Sequence, residues 1–125
     1  MIKNIQQPAM CFAEETFAAV MDKLSQKNVK QVYVINKDQQ LLGMVTKDTI
    51  IAALKRTPEK TQQSLAAKDI LKKTFFVDLN DKPETAMEMM MQHYTTECPV
   101  VDRGTFLGYV TYREILYQMI EEKDK

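Results

Sequence analysis

The chain has 125 residues, of which 45% are hydrophobic and 27% are charged, as expected for one ordinary globular domain. Its 17 basic and 17 acidic side chains leave no net charge, which disfavours a broad nucleic-acid surface because such surfaces need excess Lys and Arg. No apolar run approaches the roughly 20 residues of a membrane-spanning helix, and the first eight residues are too polar for a secretory signal. We therefore expect a cytoplasmic protein without membrane insertion.

The first half of the chain predicts a β-α-β-β-α order of elements. A brief apolar strand at 9–12 precedes a helix that opens with Glu14, Glu15 and Thr16, where the negative charges suit the positive end of a helix. β-Branched residues at 31–35 and an apolar run at 41–46 form a hairpin around a polar turn. The first helix repeats apolar residues at Phe17, Val20, Met21 and Leu24. The buried side of the second helix is marked by Ile50, Ile51 and Leu54.

The second half predicts the same order again. A polar linker without periodicity at 57–66 separates the halves, so we place the first motif at 1–56 and the second at 67–125. The short strand of the second half is formed by Phe75, Phe76 and Val77. The remaining elements are a helix from Pro83, strands at 97–101 and 105–111, and a last helix with apolar residues Ile115, Leu116 and Met119.

Each hairpin ends in the same short motif. Gly43-Met44-Val45-Thr46 and Gly108-Tyr109-Val110-Thr111 lie 65 residues apart, and each leads into the last helix of its half. Self-similarity at a fixed offset indicates an internal duplication. The doubled order of elements, with Gly-x-Val-Thr at both hairpin ends, resembles the cystathionine-β-synthase (CBS) domain, a tandem pair of which is called a Bateman module. The resemblance extends from Ile2 to Ile120.

The resemblance implies a fold, a class of ligand and a kind of partner. The implied fold is α/β (α+β), with two CBS repeats packed about a pseudo-twofold axis and the module often paired into a homodimer. The family senses adenosine-containing ligands (AMP, ADP, ATP, S-adenosylmethionine or cyclic di-AMP) in the cleft between the repeats. It signals by conformational change to an enzyme, channel or transporter. We therefore expect no enzyme activity, and no cofactor other than such a regulatory nucleotide.

Thr46 and Thr111 are the first candidates for ligand binding. Each comes shortly after a glycine, at the predicted junction between a strand and the following helix. Its hydroxyl and the nearby backbone N–H groups therefore suit a phosphate or ribose. The glycine permits close approach by a ligand. Capping of the following helix explains a threonine at this position equally well, so both interpretations stay open.

The resembled motif continues Gly-x-x-Thr-x-x-Asp, with a carboxylate that holds the ribose hydroxyls, and this chain departs from it in both halves. In the first half the position is Thr49, and Asp48 comes one residue early, which turns the carboxylate by about 100° around the helix. In the second half the position is Glu114, which still offers two acceptor oxygens. We therefore favour Thr111 with Glu114, although a solvated helix charge is the alternative for Glu114.

Further candidates for ligand contact are Phe75, Phe76, Thr95, Thr96, Tyr112 and Arg113. The phenylalanines would border the purine pocket that the resemblance implies, and core packing is the alternative for both. The threonines precede a strand and would reach purine edges. Tyr112 and Arg113 would face the phosphates, Arg113 through its planar guanidinium, and exposed helix surface is the alternative.

Metal and catalytic sites have little support in the sequence. Met87, Met90 and Met91 follow helical spacing, which indicates core packing or a dimer seam rather than a soft-metal site. Cys11 and Cys98 lack the spacing of metal ligands, and we expect both to stay reduced and buried. No phosphate-binding loop or hydrolase motif is present in the sequence.

Two functions remain open at this point. The leading hypothesis is a ligand-sensing regulatory module for an adenosine-containing nucleotide. The alternative is a ligand-independent dimerisation or protein-docking module with vestigial nucleotide clefts, which the replacement of the carboxylate by Thr49 favours. A ligand-dependent change in thermal stability or oligomeric state would favour the first, and a ligand-indifferent dimer would favour the second.

Overall fold

The computed structural model describes residues 1–124 as a mixed α/β protein with two three-stranded sheets. Lys125, the last residue of the predicted second motif, lies outside the described residues. The chain divides into two compact units: the first unit is Pro8–Thr74, and the second unit joins Met1–Gln7 to the chain from Phe75 onward. The lead-in segments at 1–7 and 67–74 therefore each belong to the unit that holds the hairpin of the other sequence repeat.

The first unit follows the predicted order of elements. It contains β1 (Met10–Phe12), α1 (Phe17–Leu24), β2 (Gln31–Ile35), β3 (Leu41–Thr46), α2 (Lys47–Arg56), a 3-10 helix (Glu59–Ser64) and α3 (Ala67–Ile70). β2 lies in the centre of the sheet, parallel to β1 and antiparallel to β3. Residues 32–35 of β2 are all buried, and the strand is paired along both of its edges.

The second unit repeats this arrangement. It contains β4 (Val77–Asp78), α4 (Pro83–Gln92), β5 (Glu97–Asp102), β6 (Thr105–Thr111) and α5 (Tyr112–Lys123). β5 is the central strand, parallel to β4 and antiparallel to β6, so both predicted hairpins and the duplicated fold are confirmed. None of the helices in residues 1–124 has the length and apolarity that crossing a membrane requires.

β4 is shorter than the sequence predicted, because its neighbour β5 contains a proline. In the first unit, Tyr33 donates its backbone N–H to the Ala9 carbonyl at 2.9 Å, which continues the pairing beyond β1. Pro99 occupies the equivalent position 66 residues later and has no N–H to donate. The parallel pairing begins one residue after Phe76, so Phe75 and Phe76 precede the strand and the prediction that they lie on it was wrong.

Gly43 and Gly108 each make room for the backbone of a lead-in segment. In the first unit, Lys72 and the residue after Gly43 exchange two backbone hydrogen bonds of 2.9 Å. In the second unit, Gln6 and the residue after Gly108 do the same at 2.7 and 3.2 Å. A Cβ on either glycine would overlap the lead-in's carbonyl oxygen. We predicted that a ligand would approach these glycines closely. The protein's own backbone occupies that space instead.

In the helices after the hairpins, Ile50 and Ile115 are buried as predicted, but the residue that follows each of them is not. Ile51 and Leu116 are exposed, whereas Ala53 and Gln118 are buried. A helix turns by about 100° per residue, so a face that buries positions i and i+3 carries position i+1 toward solvent. The same rule applies on α4, where Met91 is exposed although its spacing predicted a shared face.

Gln118 holds the lead-in of the second unit against α5. Its side chain is only 2% exposed, and its amide oxygen accepts the backbone N–H of Lys3 at 3.0 Å. Its amide nitrogen donates to the Met1 carbonyl and to the Glu122 carboxylate. The buried amide thus has partners on both its oxygen and its nitrogen, as burial of a polar group requires.

Candidate functional site

Thr46 and Thr49 cap α2 reciprocally. The Thr46 hydroxyl accepts the backbone N–H of Thr49 at 3.2 Å, and the Thr49 hydroxyl accepts the backbone N–H of Thr46 at 2.9 Å. The Thr49 hydroxyl also donates to the Thr46 carbonyl at 3.0 Å. Because a hydroxyl has one proton, Thr49 has no donor left and only one oxygen to offer. The structure therefore supports helix capping as the role of this pair.

A shallow hollow of about 370 Å³ lies beside this cap, within the first unit. The polar residues that line it are Asp48, Thr49, Arg56 and Lys72. Arg56 donates to the Asp69 carbonyl at 2.8 Å, which ties the end of α2 to α3 and holds the guanidinium at the rim. Two cations against one carboxylate make this hollow a favourable place for an anion.

Glu114 caps α5 in the second unit and keeps acceptor capacity. One carboxylate oxygen accepts the backbone N–H of Thr111 at 3.1 Å. An ionised carboxylate accepts at about four positions, so the cap leaves most of them available. Burial raises the pKa of Tyr109, and the negative charges of Glu97 and Glu114 raise it further. Arg113 is exposed in the same turn of α5.

One corner of the second unit brings four predicted site residues together. Glu97 pairs with Thr111 across the two strands, and Tyr112 donates its backbone N–H to the Thr96 carbonyl at 2.9 Å. The Thr95 hydroxyl accepts the backbone N–H of Glu97 at 3.3 Å. The backbone of these residues, the start of α5 and the Glu114 carboxylate therefore lie together where β5 begins and β6 ends.

His93 is a neighbour of this corner that sequence reasoning missed. Its ring stacks on that of Phe75, with ring centroids 4.2 Å apart and 13° between the planes. One face of Phe75 is thus covered, whereas Phe76 is 51% exposed and more available to a ligand. The stack joins residues that are 18 positions apart, so no local spacing in the sequence could have indicated it.

The two units carry opposite charge. The first unit has eleven basic and seven acidic residues, a net charge of +4, and the second has six basic and ten acidic residues, a net charge of −4. The neutral total conceals this difference. The hollow of the first unit therefore lies in a positive surrounding, and the corner of the second unit lies in a negative one.

The two cysteines are buried and unreactive. Burial, assisted by the charge of Glu15, raises the pKa of Cys11 to about 11. Burial, assisted by the charge of Asp81, raises the pKa of Cys98 to about 12. Both side chains are thiols at neutral pH, and only the thiolate is a strong nucleophile or metal ligand. In residues 1–124, no group of three His, Cys, Asp or Glu side chains is placed to hold a metal ion.

Comparison with known proteins gives a consistent family. The sequence profile described as CBS domain matches the chain twice, over residues 2–56 and 67–121. A curated relative is the A-adding tRNA nucleotidyltransferase of Aquifex aeolicus (strain VF5), 26% identical over 118 residues. That match spans 91% of this chain and 14% of the enzyme, so the chain corresponds to a small part of that relative.

Solved structures share the fold across nearly the whole chain. OpuCA of Staphylococcus aureus is 17% identical with a TM-score of 0.71, and the match covers 94% of this chain and 97% of that one. A CBS domain pair/ACT domain protein of Thermotoga maritima is 19% identical with a TM-score of 0.73, covering 94% and 93%. CBSX2, solved in complex with AMP, is 17% identical with a TM-score of 0.73, covering 95% of each chain. Likeness at these identities concerns the fold alone.

Proposed function

The chain belongs to the CBS domain family, of which it carries two copies, and we propose that it is a regulatory module that binds an adenosine-containing nucleotide. The observation that carries the proposal is the corner of the second unit, where Thr96 and Tyr112 are joined and Glu114 keeps free acceptor positions. The AMP complex of CBSX2, a protein of similar fold, supports adenosine as the class of ligand. The candidate ligands are AMP, ADP, ATP, S-adenosylmethionine and cyclic di-AMP.

In this proposal, the residues of the second unit have distinct roles. Glu114 accepts the two ribose hydroxyls with the carboxylate positions that capping leaves unused. Thr95 and Thr96 contact the edge of the purine, and the exposed ring of Phe76 contacts its face. Arg113 and Tyr112, exposed at the start of α5, face a phosphate.

The first unit offers different chemistry. Thr49 has one side-chain oxygen, which already accepts one hydrogen bond and donates its proton, so it cannot hold two ribose hydroxyls in the way a carboxylate does. Thr46 at the start of α2, with Arg56 and Lys72 of the adjoining hollow, instead suits a phosphate or another anion. We therefore propose the second unit as the nucleoside site and the first unit as the weaker candidate.

Glu114→Gln tests the nucleoside site. The amide oxygen of Gln still accepts the Thr111 N–H, so the helix cap is kept while the charge that binds the hydroxyls is removed. A hydrogen bond to a charged group contributes roughly 1 kcal/mol more than a neutral one, so we expect about fivefold weaker binding of AMP in calorimetric titration. Glu88→Gln, an exposed carboxylate on α4, is the matched control and should leave the Kd unchanged.

The wider proposal is tested by thermal shift with the five candidate ligands. Stabilisation by at least one of them at millimolar concentration is expected, because a ligand that binds the folded state raises its stability. If none stabilises the protein at that concentration, ligand sensing is wrong. If Glu114→Gln binds AMP as tightly as the unaltered chain does, the nucleoside site does not include Glu114.

A second candidate function is a ligand-independent homodimer or docking module. The observation that favours it is the outer face of α5, where Leu116, Tyr117 and Ile120 are between 43% and 61% exposed. Three neighbouring apolar side chains on one helix suit contact with a second copy of the chain. Light scattering with and without AMP separates the functions, because a dimer that ignores every candidate ligand supports this one.

We also propose the kind of protein that the module regulates and the compartment in which it works. The matched part of the Aquifex aeolicus relative belongs to an enzyme, which supports an enzyme or transporter as the regulated partner, on the same chain or a separate one. The two free, buried thiols support a reducing cytoplasmic compartment. Co-purification from cytoplasm with a bound nucleotide and a regulated enzyme would agree with both statements.

A further inference from the structure

Tyr94 combines a strained backbone with an almost fully exposed ring. It follows the end of α4 with φ 53, in the left-handed region, and its side chain is 97% exposed. The backbone N–H of Tyr94 donates to the Met91 carbonyl at 3.3 Å, and that of Thr95 donates to the Met90 carbonyl at 3.0 Å. These bonds close the helix, and they need this φ but not an aromatic side chain.

The first repeat provides a comparison for this position. Asn28 lies 66 residues before Tyr94, after the end of α1, and has φ 68. Asn is among the few residues other than Gly that adopt the left-handed region readily, whereas a bulky aromatic residue there is an outlier. The same turn is therefore made with an ordinary residue in one unit and a costly one in the other.

Within residues 1–124, the exposed ring of Tyr94 gains nothing that offsets this cost. A ring that is 97% exposed gains almost no burial or packing. Strain of this kind, kept in place by a rigid neighbourhood, points to a contact that forms in another state of the molecule. The adjacent His93 is held by its stack on Phe75, with ring centroids 4.2 Å apart.

We propose that Tyr94 provides a stacking surface for the purine base of the ligand in the second unit. The proposal rests on the adenosine ligand proposed above and adds a second aromatic residue, besides Phe76, that meets a flat face of the purine. Tyr94 directly precedes Thr95 and Thr96, the residues proposed for the purine edge, so one short segment supplies both face and edge contacts. An aromatic ring suits a base because the two flat surfaces stack without a directional requirement.

The test uses AMP as the probe and three variants. Tyr94→Asn relieves the backbone strain and removes the ring, so we expect Tm to rise by about 2 °C or more while the Kd for AMP weakens about tenfold. Tyr94→Phe keeps both strain and ring, and should leave the Kd within about twofold. The matched control is Arg103→Asn in the β5–β6 turn, where Arg103 has φ 51. It should raise Tm similarly without any change in Kd.

The outcomes separate this inference from the proposed function. A variant that is more stable yet binds more weakly cannot owe its loss to unfolding. If the unaltered chain binds AMP and Tyr94→Asn binds it equally well, the stacking role of Tyr94 is overturned and nucleotide sensing stands. If neither AMP nor any other candidate ligand binds the unaltered chain, both proposals are overturned together. A loss of binding in Tyr94→Phe would also overturn the stacking role.

Discussion

At the level of single residues, Gly108 has two separate reasons to be glycine. Its φ of 151 is rarely adopted by residues with a side chain, and its missing Cβ leaves space for the Gln6 carbonyl. Gly43 has only the second reason, because the Lys72 carbonyl occupies the same space in the first unit. The shared motif residue thus acts through backbone packing, which the Gly-x-Val-Thr pattern alone does not reveal.

Gly108→Ala is expected to lower the free energy of unfolding by about 2–4 kcal/mol, because it adds both strain and overlap with the lead-in. Gly104→Ala is the matched control: its φ is 86, but nothing lies within 4 Å of an added Cβ. That substitution should cost about 1 kcal/mol from strain alone. Urea denaturation measures both, and equal losses would show that the close approach of Gln6 contributes nothing.

At the level of elements, α5 differs from its counterpart α2 on the outward side. Leu116, Tyr117 and Ile120 of α5 correspond to Ile51, Ala52 and Lys55 of α2, so the second-unit helix is the more apolar one. Arg113 lies four residues before Tyr117, and Glu121 lies four residues after it. An antiparallel pair of α5 helices centred on Tyr117 would therefore bring opposite charges together at both ends.

Charge reversal tests this pairing if the protein is a homodimer. Arg113→Glu or Glu121→Arg alone would place like charges together, and we expect each to weaken the dimer about threefold to tenfold. The double variant restores opposite charges and should recover most of the affinity. Sedimentation velocity over a dilution series measures the dimer Kd. Additive weakening in the double variant would contradict an α5–α5 contact.

How much was predictable differs between elements. The hairpins follow from alternating apolar residues and their turn chemistry, which are local properties, and both were predicted at the right positions. To predict that β4 is short, one must know that Pro99 lies in the neighbouring strand. To predict what the two glycines contact, one must know which lead-in segment lies against each of them. These are long-range contacts. The site residues gathered near Thr96 and Tyr112 were named from the repeat, but the stack of Phe75 on His93 was not.

At the level of the whole molecule, the balance of charge is the sum of two unlike parts. The first unit carries +4 and the second carries −4, so the neutral composition does not describe either. A ligand site in the second unit must bind phosphates against a negative surrounding, and each further phosphate adds repulsion. The negative charge of the second unit therefore favours ligands that carry few negative charges at a site in that unit.

We expect the site that Glu114→Gln weakens to bind AMP more tightly than ATP at low salt. The difference should shrink as salt rises, because the Debye length falls from about 10 Å at 0.1 M to about 3 Å at 1 M ionic strength. Calorimetric titration of both nucleotides at two salt concentrations provides the measurement. Tighter binding of ATP at low salt would mean that the charge of the second unit does not act on the ligand.

The division of the lead-ins bears on the order in which the chain assembles during synthesis. The first unit holds residues 8–74 and has all its parts once Thr74 has left the ribosome. The second unit needs Gln6 beside β6 and Lys3 beside α5, although these partners are translated about a hundred residues apart. Residues 1–7 are translated before the first unit, yet they find their place only after that unit has been completed.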